Sequence, residues 1–184
     1  MESNRIGSDN AGERYAAPAI LFHWISAIFF PGMIALGWYM MSIEESPGSD
    51  WYFNLHKSLG LIIALLVLLR AAWRIGHRPH PLPVGTPQWQ ARASRLTHWL
   101  LYAAMIAMPL VGIIGSLYSK KGIALFGLQL PQWFTPNHDV AEFFFSAHSF
   151  IAWILVGLIA LHVLAALKHL VIDKDGVFQR MWFS

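Results

Sequence analysis

The chain has 184 residues, of which 56% are hydrophobic and 12% charged, about half the charge of an ordinary soluble domain. That balance excludes a soluble globular protein and indicates a single membrane domain. The net charge of +3 does not point to nucleic acid, because the basic residues gather at the ends of apolar runs, where membrane topology accounts for them. Cysteine is absent, which excludes disulfides, thioether-attached haem and cysteine-ligated iron–sulfur clusters.

Residues 1–17 form a polar N-terminal tail. The first apolar run, about 18–42, is too long for a removable signal peptide and lacks a small-residue cleavage site, so it is expected to remain as a helix. Three more runs follow at about 53–75, 95–118 and 143–171, each long enough for a hydrocarbon core of about 30 Å. A C-terminal tail covers 172–184. The fold class expected is an all-α membrane protein, a four-transmembrane-helix bundle. Pro31-Gly32 and Pro109 fall inside the first and third runs, where proline removes a helical hydrogen bond and bends the axis. Such bends widen a bundle around a cofactor, and they also occur in membrane helices without one.

The connections orient these spans. The hairpin 43–52 holds Glu44, Glu45 and Asp50 and no Lys or Arg, whereas Arg70, Arg74, Arg78, Arg92 and Arg95 surround the second connection. The positive-inside rule places that basic segment and both termini in the cytoplasm, with loops 43–52 and 119–142 on the periplasmic side. Loop 76–94 is rich in Pro and Gly and is expected to be extended. In loop 119–142 the apolar stretch IALFGLQLPQWF is expected to lie at the interface with Trp133 as its anchor. There is no internal repeat.

Histidine carries the chemistry. The fourth run holds His148, His162 and His169 at intervals of 14 and 7 residues. At about 100° per residue these return to nearly one azimuth, with His148 and His162 about 21 Å apart along the axis. Histidine inside a bilayer is expensive and usually functional, and neutral imidazole is a common ligand for iron. The face therefore reads as holding two haems at two depths. His56 and His148 each lie about one turn inside the outer ends of their spans and can share one iron; Gly60 and Ala152, one turn on, leave room for a flat macrocycle and are equally typical of close helix packing. For the inner site, His23 pairs by depth with His162 or almost as well with His169, and His98 is a further candidate. The 14-residue interval favours His162. His77, His80 and His138 fall in loops and read as solvated.

The stretches LFHW around His23, LHKSLG around His56, LTHWLLYAAMIAMPLVG around His98 and AHSFIAWILVGLIALHVLAALKH from His148 to His169 resemble the bacterial cytochrome b561 family, over essentially the whole chain after residue 17. The resemblance implies two haems b with bis-histidine ligation, His23 with His162 at the cytoplasmic side and His56 with His148 at the periplasmic side, in a bacterial inner-membrane protein. It further implies oxidation of periplasmic superoxide and reduction of ubiquinone, the activity of the best understood member. Lys57, Lys120 and Lys121 are then placed to steer an anionic reductant, though Lys57 is equally placed to snorkel and the lysine pair to end a helix. His98 and His169, with Arg74, Arg95 and Lys168 nearby, are candidates for binding quinone and exchanging its protons; Tyr118 and Ser119 offer a periplasmic alternative. The arginines fit haem propionates as well.

A wider relationship to the cytochrome subunits of hydrogenases and formate dehydrogenases implies the alternative of an electron-transfer subunit with a redox protein partner. The short acidic hairpin and the lack of a docking segment favour a self-sufficient protein. A haem-free metal or proton transporter would need membrane carboxylates, which the four spans essentially lack.

Overall fold

The structure, a computed structural model, describes residues 14–77 and 86–183. The tail up to residue 13, with Arg78 and His80, lies outside the described residues. Four helices dominate: α1 Ala17–Ser42, α2 Ser49–Gly76, α3 Gln88–Tyr118 and α4 His138–Lys168. All four are long and apolar enough to cross a membrane. At 1.5 Å per residue each exceeds the ~30 Å hydrocarbon thickness.

Three helices begin earlier than the apolar pattern suggests, because start signals lie upstream of it. The left-handed Gly48 (φ 87°) turns the chain into α2, and Ser49 Oγ donates to the Glu44 carbonyl at 2.9 Å. α3 begins directly after Pro87, so 88–94 is helical and the expected extended loop is shorter. These seven residues contain neither Pro nor Gly, and nothing prevents helix there. At α4 the side chain of Asn137 accepts from Val140 N at 3.1 Å, a cap that starts the helix five residues before the apolar run. α1 opens with Pro18 in its first turn, and both internal prolines, Pro31 and Pro109, are accommodated without interrupting their helices.

The connection after α3 is not irregular throughout. Ala124–Leu125 (β1) and Leu128–Gln129 (β2) pair antiparallel around Phe126 and Gly127, both at positive φ (47° and 89°), as a two-residue hairpin turn requires. Ser58 fixes this hairpin onto α2. Fully buried, it accepts from Phe126 N at 2.8 Å and shares its proton between the carbonyls of Asn54 (2.7 Å) and Ala124 (3.1 Å). Phe126, Leu128 and Trp133 remain exposed, forming an apolar rim at this end of the bundle.

α4 continues into one π-helical turn, His169–Asp173, and the chain then folds back through a 3₁₀ turn at Gln179–Met181. Trp24 Nε1 donates to the Met181 carbonyl at 2.6 Å, and Tyr15 N to that of Arg180 at 3.1 Å, so the two ends of the described chain meet.

The bundle core joins Phe30 and Ile34 of α1, Ile63 and Val67 of α2, Ala104 and Met105 of α3 and Leu155 of α4. α3 and α4 pack most closely, and Gly115 permits it: a Cβ there would come within 2.8 Å of Phe145. The backbones of α1 and α2 make few close approaches to α4; long side chains bridge that gap, including Trp38 and Trp153 at 5.0 Å between ring centres. Outside, apolar side chains such as Ile28, Leu65, Trp99 and Trp153 are exposed, as in a surface whose solvent is lipid.

Candidate haem and electron-transfer site

Two pairs of imidazoles span the gap between α4 and the first two helices. His56 of α2 faces His148 of α4 with ring centres 6.0 Å apart, and His23 of α1 faces His162 of α4 at the same 6.0 Å. Leu155, which has no exposed surface, lies seven residues from both His148 and His162 and separates the two sites. His98 of α3 joins the second site, 5.6 Å from His162 between ring centres, with its Nδ1 3.4 Å from Ser94 Oγ.

Glycines bring the rings close to neighbouring backbones. A Cβ on Gly112 of α3 would lie 2.9 Å from His148 Nδ1, and one on Gly37 of α1 would lie 3.4 Å from His56 Cε1. A Cβ on Gly60 would meet Met33 at 4.0 Å and neither ring within that distance. Nothing in the sequence marks Gly37 or Gly112, because each serves a ring on a different helix.

These donors fit a metal-bearing macrocycle. A first-row metal takes an imidazole nitrogen at about 2.0–2.1 Å, so two such bonds set the nitrogens about 4 Å apart, a span that rings 6.0 Å apart between centres accommodate. His148 Nδ1 lies 2.9 Å from the Met108 carbonyl and donates to it, which leaves Nε2 with the lone pair, as in metal-bound histidines. Among the described residues the buried Nδ1 of His56 has no hydrogen-bond partner, and such a group costs about 1–3 kcal/mol unless something else satisfies it.

The remaining sequence-predicted residues divide between the two ends. Near His56, Lys57 Nζ donates to the Gly122 carbonyl at 2.8 Å, Lys121 pairs with Asp50, and Lys120 is exposed. At the other end, His169 Nδ1 lies 2.7 Å from Asp175 Oδ2 and 3.4 Å from Asp173 Oδ2, while Lys168 pairs with Asp173. His169 therefore stands apart from the ring pairs, tied into a carboxylate cluster. His138 lies 3.6 Å from Glu142 and His77 stacks on Trp73; both are exposed.

A family model described as prokaryotic cytochrome b561 matches residues 14–184. Among curated relatives, cytochrome b561 homolog 2 of Escherichia coli (strain K12) is 36% identical over 177 residues, covering 94% of this chain and 93% of that protein. Cytochrome b561 homolog 1 of the same organism is 30% identical, covering 91% and 96%. A protein of Yersinia pestis described as probable superoxide oxidase CybB is 26% identical over 172 residues, covering 92% and 96%. Fold, donor set and similarity define a class, the multi-pass membrane proteins that transport electrons on haem b. Within it, the chain belongs to the prokaryotic cytochrome b561 family.

Proposed function

We propose that the chain carries electrons across the bacterial inner membrane on two haems b, oxidising superoxide at the periplasmic face and reducing ubiquinone. The observation that carries this reading is the pair of equal imidazole spans, 6.0 Å each, set 14 residues apart on one face of α4. His56 and His148 hold the outer haem, and His23 and His162 the inner one. With two histidines holding each one, the haems would supply one-electron ferric–ferrous exchange and not oxygen chemistry on the metal.

The chain's own residues do the rest. Lys57, Lys120 and Lys121 raise the local concentration of an anion beside the outer site; Asp50 offsets part of that charge through Lys121. Leu155, Val67 and Ile63 keep water out between the two sites. At the inner end His98 and His169 bind quinone and pass protons to it, His169 through its contact with Asp175. Two superoxide anions leave as two dioxygen molecules, and their two electrons with two protons convert quinone to quinol. The basic residues flanking the α2–α3 connection support cytoplasmic termini. The Yersinia pestis relative's description supports superoxide as the donor.

The test is quinol formation by the purified haem-loaded protein supplied with superoxide and a soluble ubiquinone. Superoxide-dependent quinol formation beyond the uncatalysed rate is expected. Haem reduction by other donors with none by superoxide would contradict the proposal.

A further inference from the structure

Arg70 lies six residues before the end of α2, yet its guanidinium turns across the bundle to α1 and α3. Nη1 donates to the Phe22 carbonyl at 2.9 Å, Nε donates to Tyr102 Oη at 3.3 Å, and Nη2 lies 3.4 Å from His23 Nδ1. Its Cζ stands 5.6 Å from the centre of the Tyr102 ring. The side chain also borders a 420 Å³ cavity that it shares with Arg74, Tyr102 and Tyr15. A charge half-buried between membrane helices is costly and marks function by default. Topology alone would be served by Arg74, one turn further toward the helix end. The bonds to Phe22 and Tyr102 fix where the Arg70 charge sits.

The two histidine pairs are thus backed by groups of opposite character. A guanidinium can only donate, and a His23 that gives Nε2 to a metal carries its proton on Nδ1, so Arg70, 3.4 Å away, acts on that ring through its charge and not through a hydrogen bond. His148 Nδ1 instead faces a carbonyl, that of Met108, and donates to it. A fixed positive charge beside an axial ligand disfavours the more positive ferric form. A carbonyl drawing on the ring N–H makes the imidazole a stronger donor and favours that form. Lys57, next to His56 in sequence, does not cancel the difference, since its ammonium is directed to Gly122 O, beside the exposed Lys121–Asp50 pair.

Resting on the ligand assignment proposed above, we infer that the Arg70 charge, fixed beside His23 by its bonds to Phe22 and Tyr102, raises the reduction potential of the haem held by His23 and His162 above that of the haem held by His56 and His148. Electrons entering at the outer haem then run downhill to the inner one.

Potentiometric titration of the purified haem-loaded protein tests this. Arg70→Gln is expected to keep two haems and to lower the higher midpoint alone, by about 59 mV, a tenfold change in the ferric-to-ferrous ratio at fixed potential. Arg70→Lys, which keeps the charge, is expected to restore most of that shift. Tyr102→Phe removes one anchor of the guanidinium and should lower the same midpoint by less; it carries the test if Arg70→Gln loses haem. In a His148→Ala background the single remaining midpoint should fall with Arg70→Gln, and in a His23→Ala background it should not move. Equal movement of both midpoints, no movement, or a shift in Arg70→Lys as large as in Arg70→Gln would overturn the inference. Failure of the ligand assignment shows separately, as a wild-type haem count other than two or as survival of both haems in His23→Ala.

Discussion

His148 and Met108 are joined across the α3–α4 interface by a hydrogen bond of 2.9 Å from the imidazole Nδ1 to the backbone carbonyl. The bond is possible because Gly112, one turn beyond Met108 on α3, has no side chain to occupy the space of the ring. Pro109 follows Met108 directly, so this turn of α3 combines a residue that bends the axis with one that admits the ring.

Gly112→Ala is therefore expected to damage the outer site selectively. The new Cβ would stand 2.9–3.0 Å from two atoms of the His148 ring, and overpacking of this kind costs about 1–3 kcal/mol. Haem quantification should fall from two per chain toward one, with a lower thermal midpoint. Retention of both haems with wild-type stability would show that the ring moves freely.

Removing ligands one at a time separates the sites. His56→Ala or His148→Ala should halve the haem content and leave the inner haem, while His23→Ala or His162→Ala should leave the outer one. His169→Ala, whose ring contacts Asp173 and Asp175 rather than a facing imidazole, should keep both haems and slow quinone reduction. Loss of a haem in His169→Ala, with retention in His162→Ala, would reverse the inner assignment.

Ser58→Ala addresses the hairpin. The substitution leaves the Phe126 N–H without its acceptor, at a cost of about 1–3 kcal/mol if that group stays buried. Faster hydrogen exchange confined to residues 123–130, with the haem content unchanged, is the expected outcome. An unchanged exchange pattern would mean that the hairpin holds without this bond.

Charge steering at the outer end is testable by salt. Replacing Lys57, Lys120 and Lys121 with Gln should slow superoxide oxidation most at low ionic strength and progressively less as salt screens the wild-type attraction. Lys57 also holds Gly122 O, so Lys120→Gln alone, at an exposed position, gives the cleaner charge effect. Identical salt profiles for wild type and the triple variant would remove the steering role.

The helices were legible in the sequence because each is a long apolar run, and the outer ring pair because His56 and His148 lie at matched depths; for the inner pair depth left His162 and His169 open, and the 14-residue interval along one face of the fourth run favoured His162. Helix starts were less legible: the cap at Asn137 and the turn at Gly48 lie in polar sequence that hydropathy does not register. The hairpin at 124–129 was hidden because its two-residue strands are too short for a period. Gly37, Gly112 and Ser58 carry no signal, since each acts on a group from a different part of the chain. Arg70 read as a topology marker, and only the fold directs its guanidinium to His23.

The central claim is that four histidines hold two haems b. Pyridine haemochrome quantification of the purified protein, alongside its electron paramagnetic resonance spectrum, tests it most directly. Two haems b per chain, both low-spin, are predicted. One haem per chain, or a high-spin signal from an iron with an open axial position, would contradict it.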